Sequence, residues 1–354
     1  MASIIKRKNG YEVQWIKNKK RQYKFFKTRK DAKVFCAVLE TQKSTPNKLP
    51  EITLKALINE YERNVSVKKR SYRSETFRLN RFRSEEFSKE LITNITKAHI
   101  NDYIERRSKE RSQKTRGFIS ASTINKEMAL LRNMFNYAIE FGFLEKNPLS
   151  SYHKLKEPEH RERIAVEEDI EKLLVASGWD GISTPKTSTQ AVIAAFLFSC
   201  RTGMRAGEIL KMETSWVEDR VIHIPAAATK TLSKRNVAMG TDAYRYYLLM
   251  LPLTVNGKVF GCISPASRDV IFKKVRNRAG LGPVYDSAGN LIKEGLNFHD
   301  GRATFATWAA TPDPHTGVPR LDVLALARQT GHKNLAMLQR YYREPAEKIV
   351  ERLS

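Results

Sequence analysis

Cysteine is scarce in this chain: three in 354 residues, Cys36, Cys200 and Cys262, far apart and in apolar surroundings. That argues against a disulfide scaffold and predicts three buried free thiols in a reducing compartment. No CxxC or HExxH occurs, and the seven histidines are scattered, so neither a metal nor another cofactor is expected. Long apolar runs are missing too. The longest, AVIAAFLF at 191–198, falls short of the roughly 18 residues that span a bilayer and suits a buried helix. The opening MASIIKRKNG has no apolar signal core and no small-residue cleavage site, so a cytoplasmic chain is expected. Acid is in short supply: 38 Asp and Glu face 63 Lys and Arg, a formal net charge of +25. An imbalance of that size points to a polyanionic partner, nucleic acid before an acidic membrane surface.

What is present reads as a mainly α, multidomain α+β chain, each segment basic. In residues 1–45, Asn9-Gly10 signals a hairpin. Tyr11, Val13 and Trp15 alternate with polar residues as a half-buried strand should, and QYKFFK reads as a third strand. Thr28 can cap a helix to about Gln42, with Ala32, Phe35, Cys36 and Leu39 on its inner face. A small three-stranded sheet backed by one helix is expected, its other face free for DNA. TQKSTPNKLPE, 41–51, reads as a linker. Residues 51–150 read as all helical, with Leu54, Leu57, Ile58 and Tyr61 on one face. Ile100, Tyr103 and Ile104 share another, and a helix through Leu131 and Phe135 is expected to be capped by Ser122 and closed at Gly142. Residues 151–163 form a basic connector, and VEEDIEKLL opens a mixed α/β domain, 164–354, with carboxylates at the positive end of its first helix.

Four stretches of that last domain carry chemistry. In TGMRAGEIL, 202–210, Gly203 and Gly207 bracket Arg205, and Glu208 follows one helical turn on. VIHIP and RNVAM, within 221–240, read as strands, with Lys230 and Lys234 at or near the tip between them. In NFHDGRATFATWAA, 297–310, His299 and Arg302 share a face once a helix has begun. GHKNLAMLQRYYR, 331–343, sets His332 nine residues before Tyr341, with a helix expected from about Leu335. Taken singly, each suits an ion pair, an exposed hairpin, a cap or an amphipathic helix.

In this order, Arg, Lys, His-x-x-Arg, His and a late Tyr, the domain resembles the tyrosine recombinase (phage integrase) family. The small basic sheet domain and the helical domain before it resemble the arm-binding and core-binding domains of phage integrases. The resemblance implies a metal- and ATP-independent site-specific DNA recombinase, integrating and excising a phage or mobile element. In the family, the arginines matching Arg205 and Arg302 grip the non-bridging oxygens of the scissile phosphate. The counterpart of His299 assists proton transfer or donates to the phosphate, and that of His332 hydrogen-bonds the phosphate. The hairpin lysine, matched by Lys230 with Lys234 as the second candidate, protonates the leaving 5′ oxygen. Tyr341 matches the nucleophile, Tyr342 the packing neighbour, and Glu208 an acidic residue that braces the site. Two departures stand out: Thr330 where a leucine is usual, and HDGRA where HxLRH is common. The resemblance further implies double-stranded DNA and a homotetramer as partners, with a host DNA-bending protein and an excision factor plausible beside them. The tail 344–354 (Ile349, Val350 and Leu353 at helical spacing) would dock on a neighbouring subunit. A type IB topoisomerase, a chromosome-dimer resolvase and a DNA-binding protein on a decayed recombinase fold are the alternatives.

Overall fold

In a computed structural model of the chain, residues 3–7, 9–17, 20–41, 50–112, 117–158, 161, 163–229, 232–287 and 291–342 are described. Lys230, most of the expected linker at 41–51 and the tail 344–354 lie outside them. The chain forms two compact units, residues 1–159 and 160–354.

The first unit opens with an antiparallel sheet in the order β1 (Ser3–Arg7), β2 (Gly10–Lys17), β3 (Lys20–Phe26). Its register sets Arg7 opposite Gly10, which puts Gly10 in the strand and the turn one residue earlier than its motif suggested. Alternation turns Val13 inward onto α1 (Arg29–Thr41), where it packs with Ala32, Phe35 and Cys36. The Thr28 hydroxyl accepts the Asp31 N–H at 3.2 Å, the expected cap.

Four longer helices follow: α2 (Leu54–Asn64), α3 (Tyr72–Arg83), α4 (Lys97–Lys109) and α5 (Ala121–Glu140). They share a separate apolar core around Leu57, Phe82, Tyr103, Leu131 and Phe135. Ser120, not Ser122, caps α5, accepting the Thr123 N–H at 3.3 Å. Both serines have the chemistry of a cap; the Ser122 side chain is instead bonded to Glu157. Basic residues on these helices are tied down: Arg106 pairs with Glu85 at 2.8 Å and Arg107 with the buried Glu127 at 2.8 Å. The connector lies back on α5, with the Asn125 amide donating to the Leu155 carbonyl at 2.9 Å.

The second unit contains α6 (Glu167–Ser177), α7 (Ser188–Thr202) and the short α8 (Ala206–Ile209). An antiparallel sheet follows, β4 (Val217–Glu218), β5 (Val221–Ile224) and β6 (Arg235–Ala238), in that order. Next come α9 (Thr241–Met250), α10 (Pro265–Arg278), a two-stranded ribbon of β7 (Val284–Tyr285) and β8 (Leu291–Lys293), α11 (Asp300–Ala310) and α12 (Val323–Thr330). The apolar run in α7 explains itself: Ala191 to Cys200 is buried throughout, and α7 is the hub on which α6, α9, α10 and α11 pack. Phe196 meets Phe272 at 4.8 Å and Phe298 at 5.8 Å between ring centres.

Two expectations fail here. Cys262 is exposed, while Cys36 and Cys200 are buried; all three are free. The stretch from Leu335 is not an α-helix but two 3-10 turns, Leu335–Met337 and Gln339–Tyr341, with Tyr341 ending the second and Tyr342 just past it. Bonds from Tyr341 N–H to the Leu338 carbonyl (2.9 Å) and from Tyr342 N–H to that of Gln339 (3.1 Å) wind the chain tighter than 3.6 residues per turn. The tight winding serves two anchors at once, buried Leu338 and the Tyr342 hydroxyl, which donates to the Leu321 carbonyl at 2.7 Å. Among the described residues no helix is long and apolar enough to cross a membrane.

Candidate active site

The site gathers where three chain reversals meet. Helix α7 ends at Gly203, in the left-handed region at φ 67°, and a Cβ there would lie 2.6 Å from the Phe305 ring. The reversal delivers Arg205 to the N-terminus of α8. Its backbone N–H donates to Glu208 at 3.0 Å, and its guanidinium meets the same carboxylate at 3.2 Å. Helix α11 begins just past His299, so His299 and Arg302 leave its first turn together. Asp300 fixes that start, accepting the Asn297 N–H at 2.7 Å and pairing with Arg161 at 2.6 Å. Helix α12 ends at Gly331, φ 71°, which turns the chain and presents His332.

A helix end leaves carbonyls without partners. At α12 three arginines take them: Arg235 the carbonyl of Gln329, Arg302 that of Thr330, and Arg205 that of Gly331 at 3.0 Å. Arg302 also donates to the Gly203 carbonyl at 2.7 Å, joining the two glycine reversals. Arg235 completes an Arg205–Glu208–Arg235 array, meeting Glu208 at 2.6 Å. Burial pushes the Glu208 carboxyl up, but Arg235 and Arg205 pull it below the usual carboxylate range. Burial, then Arg205 and Arg235, push Arg302 down to about 9, so it stays cationic at neutral pH.

The imidazoles are held neutral. Burial, then Arg302 and Arg205, drive His332 down to about 3. The Thr330 hydroxyl donates to the Leu326 carbonyl at 2.6 Å and lies 2.7 Å from His332 Nδ1. With its one hydrogen spent, Thr330 can only accept there, which assigns the proton to Nδ1 and leaves Nε2 to accept from Arg302 at 3.1 Å. His299 is exposed, yet partial burial of its ring and then the nearby Arg302 hold it below its ordinary value.

Tyr341 and Tyr342 part as the chain winds. Tyr341 is half-buried, and its phenol oxygen accepts from Arg340 at 3.0 Å, with the Arg340 guanidinium 4.9 Å from its ring centre. Tyr342 faces the other way, bonded to Leu321, and burial pushes its phenol up to about 12.

Arg205, Glu208, Arg302 and His332 thus form one bonded cluster, with His299 one turn before Arg302 and Tyr341 packed on the apolar cluster that holds Phe305 and Leu326. Lys230 lies outside the described residues; Lys234 stands exposed just before β6. Sequence reasoning passed over Arg235 and Gln329, and marked Thr330 only as a departure from the usual leucine. Arg235 carried one usable signal: in RNVAM it alternates with Val237 on the inward face, an unusual place for an arginine. The cluster holds three guanidiniums against one carboxylate beside two neutral imidazoles, a setting that fits an oxyanion. Among the described residues no group of His, Cys, Asp or Glu could hold a metal ion.

Residues 166–348 match the model of the phage integrase family. Over 353 residues the chain is 31% identical to a Haemophilus influenzae protein assigned to the integrases and recombinases, covering 98% of this chain and 88% of that one. Its fold is similar to that of lambda integrase in a dimer bound to a COC′ core site: TM-score 0.62, 17% identity, 97% of this chain and 96% of that one. It is similar also to lambda integrase in a tetramer bound to a Holliday junction: TM-score 0.60, 16% identity, 94% and 95%. The chain belongs to the phage integrase family, and is a tyrosine-type site-specific DNA recombinase.

Proposed function

We propose that the chain cleaves and rejoins double-stranded DNA through a 3′-phosphotyrosyl intermediate on Tyr341, integrating and excising a phage or mobile genetic element. The observation that carries this reading is the arginine-lined end of α12: Arg205, Arg302 and His332 meet there, nine residues before Tyr341. The Tyr341 oxygen attacks the scissile phosphorus while Arg205 and Arg302 neutralise the non-bridging oxygens, and His299 relays the phenol proton. The bond to the 5′ oxygen breaks as Lys230 protonates it. Glu208 keeps Arg205 in place. A 5′-hydroxyl of another strand then attacks the phosphotyrosyl bond, so the energy of the cut bond is kept and neither ATP nor metal is consumed. Two rounds pass through a Holliday junction.

The acting form is a homotetramer, as the lambda integrase tetramer on a junction suggests, with the tail 344–354 linking subunits. Residues 1–45 serve as an arm-binding domain, 51–150 as a core-binding domain, 151–163 as linker and 164–354 as the catalytic domain. A host DNA-bending protein and an excision factor would set direction, in the bacterial cytoplasm at the nucleoid.

The test is a nicked suicide duplex carrying the cleavage site, incubated in chelator with three proteins. Wild type and Tyr342→Phe should form a covalent adduct and Tyr341→Phe none. Tight binding without an adduct by wild type would reduce the chain to a DNA-binding protein.

A further inference from the structure

One cavity beside the site has no part in the chemistry above. It holds about 550 Å³ between β6, with the residues just before it, and the C-terminal end of α12. His332 forms part of its wall, so it opens directly onto the proposed phosphate position. Lys234 enters from the hairpin side, Arg328 from the last turn of α12 and Lys333 from just past it, while no carboxylate lines it among the described residues. Lys234 and Arg328 are exposed and have no ion pair among the described residues. The floor is Arg235, its side chain nine-tenths buried, with the Nε–H left without a partner.

An ordinary reading of Arg328 is a cation answering the negative end of its own helix. Here that end is already answered, because Arg235, Arg302 and Arg205 occupy the carbonyls of Gln329, Thr330 and Gly331. That leaves Lys234 and Arg328 with no ion pair among the described residues. We propose that this cavity is a second phosphate site, in which Lys234 and Arg328 grip the DNA backbone phosphate next to the one held by Arg205 and Arg302. The proposal rests on the recombinase reading of that neighbouring site. A continuous strand would supply that phosphate, since phosphates follow one another every 3.4 Å or so along the duplex axis. The second site also gives Lys234 a task different from proton donation to the leaving oxygen.

The experiment uses the full-length protein and a duplex bearing its own cleavage site, isolated from a randomised pool by covalent capture with wild type. Methylphosphonates neutralise one phosphate at a time around the scissile position, and binding is measured for wild type, Lys234→Met and Arg328→Met. Both substituted side chains are exposed, and thermal melting checks that the variants fold. Each variant should bind roughly tenfold more weakly, the loss of one charge-assisted contact, and lower the salt slope by about one. At a single flanking phosphate, the methylphosphonate penalty seen with wild type should shrink in each variant and vanish when both side chains are replaced. Unchanged penalties at every position would overturn the site. So would rescue of Lys234→Met cleavage by a 5′-bridging sulfur, whose thiolate leaves without a proton donor and would make Lys234 the acid instead. Failure of wild type to capture any sequence would sink the recombinase reading itself, and this site with it.

Discussion

At the scale of single residues, Thr330 shows how a departure from the family's usual leucine acts. Its hydroxyl spends its proton on Leu326 and receives the one on His332 Nδ1, fixing the tautomer and tilt of that imidazole. Thr330→Val keeps the volume and removes the acceptor. Cleavage by bound protein should slow roughly tenfold with an altered pH profile, the effect of one lost hydrogen bond, and Thr330→Ser should restore both. Single-turnover rates between pH 6 and 9 check this. The depressed His332 also links stability to pH. Unfolded, the imidazole titrates near 6.5; folded, near 3. Between those values the unfolded state binds more protons, so the contribution of neutral His332 is present above about pH 6.5 and is lost as pH falls toward 3. Urea midpoints should fall from pH 7 to 5, and fall less in His332→Gln; equal slopes would contradict the assignment. Arg205, His299, Arg302, His332 and Tyr341 could be picked out only through the family resemblance carried by their order along the chain. Arg235 was passed over because it reads as a strand residue, and Thr330 showed as a departure whose partners only the tertiary contacts assign.

At the scale of elements, the organising feature is the end of α12, a helix of eight residues whose last carbonyls are held by arginines from α8, α11 and β6. Gln329 adds a side-chain clasp, accepting from the Ala238 N–H at 3.0 Å and donating to the Ala238 carbonyl at 2.9 Å. Removing Arg235 strands the buried Glu208 with one cation and frees a carbonyl. Arg235→Met should therefore destabilise the unit by about 3 kcal/mol, and strand cleavage should fall with it. Denaturant titration checks the first and adduct formation the second. Gly203→Ala tests the other reversal: the positive φ and the contact with Phe305 should cost about 2 kcal/mol. Helix α5 was legible from apolar periodicity and α7 from its unbroken apolar run, although the choice between Ser120 and Ser122 as cap was not. The 3-10 turns at 335–341 escaped because LAMLQRYY has good helix formers. It is the long-range bond from Tyr342 to Leu321 that tightens the backbone.

At the scale of the whole molecule, charge and architecture agree. A net charge of +25 suits a chain that lies along DNA, and the two units each contribute basic surface. With six or more phosphate contacts, affinity should fall roughly a thousandfold between 50 and 200 mM salt; a flat dependence would deny the phosphate-dominated interface. The most direct measurement of the central claim is the residue that carries the DNA. A trapped adduct, digested with protease and nuclease and read by mass spectrometry, should place a 3′-linked nucleotide on Tyr341 and leave a free 5′-hydroxyl on the displaced strand. A nucleotide on Tyr342, or a 5′ linkage, would contradict it.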